Sequence, residues 1–116
     1  MFWPFAVLSI NFIAMGVVMF ILGLRSRTGL ALNPWWGMRT KKTMVDKETF
    51  AKANRAIWRI YIFQSGISFV TGCAILIVGI VDAEAYVPLV VITLGSALVI
   101  FLAALFAYIK AHRSIR

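Results

Sequence analysis

Three long apolar runs dominate the 116-residue chain. Phe2 to Leu24, Ile60 to Val81 and Tyr86 to Ile109 hold 23, 22 and 24 residues without a single charged side chain. A helix needs about 20 apolar residues to cross a hydrocarbon core of about 30 Å. A spanning segment must also satisfy its own backbone, and for separate runs that means a helix. The pattern therefore predicts an all-α integral membrane protein with three transmembrane helices, at 2–24, 60–81 and 86–109. A basic, partly helical loop over 25–59 joins the first two, and a tail over 110–116 follows the third. The whole of 1–116 reads as one three-helix membrane domain.

The connections add detail. Asp82-Ala83-Glu84-Ala85 is so short that the second and third spans must form an antiparallel hairpin. Pro88 falls in the first turn of the third helix, where its missing N–H costs nothing. Asp82 or Glu84 can stabilise that start through the helix dipole. In the long loop, Asn33-Pro34 favours a turn, and Trp35 and Trp36 suit the headgroup layer. Gly37 permits a backbone conformation that other residues resist. After Thr43 a helical period begins: Phe50, Ala53, Asn54, Ile57, Trp58 and Tyr61 recur three and four apart, with Lys47, Lys52, Arg55 and Arg59 mostly off that stripe. This predicts an amphipathic helix at or near the membrane surface. Thr43 or Asp46 would cap it, and it would run into the second span with a bend or no break.

Composition agrees with a membrane solvent. Hydrophobic residues make up 62% of the chain and charged residues 14%, against about a quarter charged in soluble domains. So small a soluble domain could not hide that much apolar surface. The net charge of +8 is confined to blocks. Arg25 to Arg59 carries nine Lys/Arg and two acids, and the tail adds Lys110, Arg113 and Arg116. The link between the second and third spans carries only Asp82 and Glu84. The positive-inside rule then places the long loop and the C-terminus in the cytoplasm and the N-terminus outside. The blocks point to anionic lipid headgroups at the cytoplasmic face as partners, and not to nucleic acid. No basic residue precedes the first run, so it reads as an uncleaved anchor rather than a secretory signal.

Candidate chemistry is sparse. No span contains Asp, Glu, Lys, Arg or His, the residues that ion-coupled transporters place in the membrane. There is no phosphate-cradling Gly-rich loop. The one cysteine, Cys73, and the one histidine, His112, make no metal set. Cys73 reads as a small lipid-facing or packing residue, and His112 as a solvated tail residue without a partner. Four acids offer no acid–base pair, so neither enzymatic activity nor a cofactor is expected. Ser65, Ser68, Gly72 and Gly79 share one helical face, and small faces let helices approach closely. Asn11 and Gln64 are candidates for hydrogen bonds between helices. The expected packing residues are thus Asn11, Gln64, Ser65, Ser68 and Gly72, with a ligand-binding polar cleft as the other reading. Gly16 and Gly23 echo Gly72 and Gly79, each pair seven apart. Glycine is common in membrane helices, so this spacing carries little weight.

One stretch is more specific. Asn33-Pro34-Trp35-Trp36-Gly37-Met38-Arg39-Thr40, then Thr43-Met44-Val45-Asp46, Phe50 and Ala53-Asn54-Arg55, resembles the SdpI family of bacterial membrane proteins. That pattern has an Asn, a Gly-x-Arg-Thr, a Ser/Thr-rich helix start, an aromatic that is more often Trp than the Phe50 found here, and an Asn-Arg. The resemblance covers Asn33 to Arg55 and implies a bacterial inner-membrane location. Well-known members protect the cell against a secreted peptide toxin that attacks the membrane. At least one, longer than this chain, also signals by holding a transcriptional repressor at the membrane. This chain looks like the motif-bearing three-helix half.

The resemblance implies an accessory or immunity protein that binds a toxin peptide, a lipid or a protein partner without catalysis. The candidate binding residues are Asn33, Trp36, Gly37, Arg39, Thr40, Thr43, Asn54 and Arg55. Arg39 and Arg55 are suited either to bracing the loop or to gripping a phosphate or carboxylate in two-pronged fashion. A second reading is a structural subunit of a larger membrane complex, or of a homo-oligomer, motivated by the Ser65/Ser68/Gly72 face. A small oligomeric transporter is a third.

Overall fold

The computed structural model describes residues 3–33, 35–82, 84 and 86–115. Expectations placed on Phe2, Pro34, Ala83, Ala85 and Arg116 lie outside the described residues. Among those described, the regular structure is entirely helical: α1 Trp3–Arg27, α2 Lys47–Ala56, α3 Trp58–Val81 and α4 Tyr86–Ser114. Helices α1, α3 and α4 are long and apolar enough to cross a membrane, and α2 is the short helix expected within the loop. The molecule measures 50 × 20 × 19 Å. Its long axis exceeds the roughly 30 Å hydrocarbon thickness.

Helices α1 and α3 run antiparallel along a seam of small residues. Lipid supplies no hydrophobic drive between helices, so close backbone approach must do the work. A Cβ added at Gly72 would lie 2.8 Å from the Ser9 carbonyl oxygen, and one at Gly16 would lie 3.0 Å from the Phe69 nitrogen. At Gly23 the added atom would meet Ile62 and the Trp58 carbonyl. The Ser9 hydroxyl donates to the Gly72 carbonyl at 2.8 Å across this seam. The seven-residue glycine spacing, given little weight above, therefore marks the contact itself. Ser65, Ser68, Gly72 and Gly79 are all buried on α3. Ser65 bonds back to Ile62 of its own helix, and the Ser68 hydroxyl has no partner among the described residues. These serines serve by being small. Gln64 is an interhelical donor as expected, but to the backbone: its amide reaches the Ile100 carbonyl of α4 at 3.1 Å. Asn11 does not act as glue. It is exposed, because the seam passes through Ser9, two residues and about 200° away around the helix.

Helix α4 packs antiparallel on α3, joined by Gln64 and by Thr71, whose hydroxyl donates to Ser96 at 2.7 Å. At the end away from the basic loop, Phe5, Ile75 and Leu89 form a small core, with Phe5 stacked on Tyr86 at 6.0 Å. Asp82 ends α3, and its side chain accepts from the Glu84 N–H.

Two boundaries differ from expectation. Helix α1 continues past Leu24 to Arg27, because arginines in a last turn favour the helix dipole and can extend their charge toward water. Helix α4 continues through most of the expected tail, to Ser114. Its Ala107 and Ala111 are buried against Phe50, Ala53 and Ile57. That cluster also covers the apolar stripe of α2. Its apolar face turns inward onto the end of the bundle, not onto a lipid surface. Asp46 caps α2 by accepting the Thr49 N–H at 2.7 Å. That bond from the Thr49 backbone, then the Thr49 side chain, holds the Asp46 carboxyl below its ordinary value. The bend between α2 and α3 falls at Ile57, with φ −120° and ψ 13°.

Candidate functional site

The signature residues of the basic loop come together in one place, and most of them are occupied in folding it. Asn33 closes a local turn: its side-chain oxygen accepts the N–H groups of Trp35 and Trp36 at 2.8 Å, and its amide donates to the Ala31 carbonyl at 2.9 Å. Trp36 is thereby held half-buried, with the Arg25 guanidinium carbon 5.3 Å from its ring centroid. This is cation–π distance.

Gly37 has φ +96°, a left-handed conformation that disfavours every residue with a Cβ. An added Cβ would also lie 2.7 Å from Leu30 Cδ2 and 3.0 Å from Asn54 Oδ1. The glycine lets the turn press against α2. There Asn54 is fully buried. Its oxygen accepts from the Met38 N–H at 2.7 Å and from the Tyr61 hydroxyl at 2.8 Å, and its amide donates to the Phe50 carbonyl at 2.9 Å. One side chain thus fastens the loop, α2 and α3 together.

Thr40 and Thr43 form the next link. The buried Thr43 hydroxyl donates to the Met38 carbonyl at 2.7 Å and accepts the Thr40 N–H at 2.8 Å. The Thr40 hydroxyl lies 2.9 Å from His112 Nε2. His112 Nδ1 lies 2.8 Å from the Tyr108 carbonyl, an acceptor only, so Nδ1 carries a proton. In the neutral ring Nε2 is then the acceptor, and Thr40 donates to it. His112 also packs on the Tyr108 ring at 4.2 Å. The expectation that it is a solvated residue without a partner is overturned: α4 continues helically and carries it to the loop. We expect His112→Ala to release the Thr40–Thr43 turn from α4. Amide exchange at Thr40 and Thr43 should accelerate severalfold, as for loss of one hydrogen bond worth about 1 kcal/mol, while α1 and α3 amides stay unchanged.

Two signature residues remain at the surface. Arg39 and Arg55 are both exposed. The Arg55 guanidinium lies over Gly29, where an added Cβ would sit 2.8 Å from Nη2. Gly29 has φ +99° and was not singled out from the sequence, although a glycine two residues past a basic helix end is a recognisable stop signal. Arg55 makes no hydrogen bond or ion pair among the described residues. No group of three or more His, Cys, Asp or Glu among them could hold a metal.

These features define the class: a helical, membrane-spanning protein whose basic loop is folded by its own signature residues. The model of the SdpI/YfhL protein family matches residues 29–110, well over half of the chain, and the chain belongs to that family. The match takes in the braced loop, α2, α3 and most of α4. No curated protein and no solved structure matches the chain.

Proposed function

We propose that this chain is an immunity-type protein of a bacterial inner membrane, with the N-terminus outside and the basic loop in the cytoplasm, and that it works by binding rather than by catalysis. The observation that carries the reading is the division of labour within the signature. Asn33, Gly37, Thr40, Thr43 and Asn54 are turned inward and brace the loop. Arg55, without a hydrogen bond or ion pair among the described residues, stands exposed on the platform they make, and Arg39 also reaches the surface. A rigid surface presenting guanidinium groups suits a carboxylate or phosphate, which arginine grips with two parallel hydrogen bonds. The occupant of best fit is a peptide ending in a free carboxylate at the membrane surface. Capture of a regulatory protein for signalling would use the same face.

The small face that motivates the alternative, a structural subunit, packs at Ser65 and Gly72 against α1 of the same chain, which favours the binding reading. The test is an affinity pull-down of tagged protein in mild detergent from its host. Wild type, Arg39→Ala and Arg55→Ala are compared, with bound peptides and proteins identified by mass. A peptide or protein held by wild type and reduced about tenfold or more in either variant supports the reading, the loss expected when one charge-assisted contact is removed. The same partners at the same abundance in all three would overturn it.

A further inference from the structure

The α3–α4 side of the bundle carries a feature the loop does not explain. A groove runs between α3 and α4, with two contiguous sections of about 640 and 490 Å³ that share Phe63 and Val99. It extends from Arg59 and Ile60 past Gly66 to Ala74 on α3, about 22 Å at 1.5 Å per residue. One leaflet of the hydrocarbon core is about 15 Å deep.

Two glycines open this groove. A Cβ placed on Gly66 or Gly95 meets nothing beyond its own helical turn within 4 Å among the described residues. That contrasts with Gly16, Gly23 and Gly72, where the space is taken by the facing helix. Neither groove glycine is needed for packing within the chain, yet each costs helix propensity relative to alanine. The polar groups in the wall are already satisfied, since the Thr71 hydroxyl donates to Ser96. What remains is an apolar trough with no call for a hydrogen bond.

The mouth at the basic end is charged. Arg59 lines it, and the Trp58 ring beside it has the Arg59 and Arg27 guanidinium carbons at 5.5 and 5.4 Å from its centroid. Both arginines are exposed, and neither pairs with a carboxylate among the described residues. The Trp58 ring thus draws two guanidinium groups toward the basic end of the groove, and each of them attracts an anion.

We propose that this groove is a site for an anionic phospholipid. One acyl chain lies along Phe63, Gly66, Gly95 and Val99, and the phosphate sits between Arg59 and Arg27 over Trp58. The site is distinct from the loop platform and stands whether or not that platform binds a peptide. A second copy of the chain would fill the trough but would bring no anion to the arginine pair.

The test uses purified, delipidated full-length protein in mild detergent, with phosphatidylglycerol or phosphatidylcholine of identical chains added, and native mass spectrometry as the readout. Wild type should retain phosphatidylglycerol in preference to phosphatidylcholine. Arg59→Gln and Arg27→Gln should each reduce that preference about fivefold, the worth of one basic residue near an anionic surface. Gly66→Leu and Gly95→Leu should lower retention of both lipids while leaving the thermal midpoint unchanged. Equal retention of the two lipids by wild type would overturn the proposal, as would full retention in the leucine variants. A dimer that vanishes in Gly95→Leu while lipid stays bound would assign the groove to a second copy. If the leucine variants melt early, the lipid preference of the arginine variants decides alone.

Discussion

Replacing Gly72 by leucine should separate α1 from α3 and cost about 3 kcal/mol, at the upper end of what overpacking a tight contact costs. The Cβ alone would lie 2.8 Å from the Ser9 carbonyl oxygen and 3.0 Å from the Ile13 nitrogen. Those are backbone atoms, which cannot move aside without moving the helix. The Ser9 to Gly72 hydrogen bond would break at the same time. In lipid there is no hydrophobic penalty for parting two apolar helices, so lost packing is not recovered elsewhere. Reversible unfolding in mixed micelles, followed by tryptophan fluorescence, measures the loss. Gly66→Leu is the control, on the same helix but facing open space, and its midpoint should match wild type. If Gly72→Leu also matched wild type, the seam would not be what holds the pair.

The seam illustrates how much a sequence of this kind discloses. The spans were legible because three uncharged runs exceed the membrane thickness and nothing else folds there. Their basic ends were not, since Arg25, Arg27 and Arg113 can sit in a last turn and still reach water. The period of Phe50, Ala53, Asn54 and Ile57 identified α2, but not what α2 faces. An amphipathic stripe has the same spacing whether it lies on lipid or on protein. Asn11 looked like interhelical glue because an amide is the stronger hydrogen-bonding group. The seam instead runs along the Ser9 side of α1, and Asn11 lies off it. The signature Asn33, Gly37, Thr40, Thr43 and Asn54 was legible as a set and does gather in the structure. Its link to His112 spans 72 positions, and no local pattern encodes that.

Replacing Asn54 by leucine should unfasten the loop while leaving the membrane helices paired. The side chain is fully buried and answers three groups: the Met38 N–H, the Tyr61 hydroxyl and the Phe50 carbonyl. Leucine has a similar size, so the loss is one of hydrogen bonds and not of volume. Stranding buried donors costs about 1–3 kcal/mol each, which gives about 3 kcal/mol once the loop relaxes toward water. Limited proteolysis should cut the variant between Trp35 and Thr43 much faster than wild type, with α1, α3 and α4 still protected. A double-mutant cycle isolates the central contact. In a Tyr61→Phe background, Asn54→Leu should cost about 1 kcal/mol less, because one stranded donor is already gone. The Asn54 variant should also lose its partner in the pull-down although Arg39 and Arg55 are intact, because the two arginines would no longer be held in one geometry. A variant that kept its partner with a protease-sensitive loop would show that the guanidinium groups need no platform. Recognition would then rest on charge alone, and the bracing residues would serve only the fold.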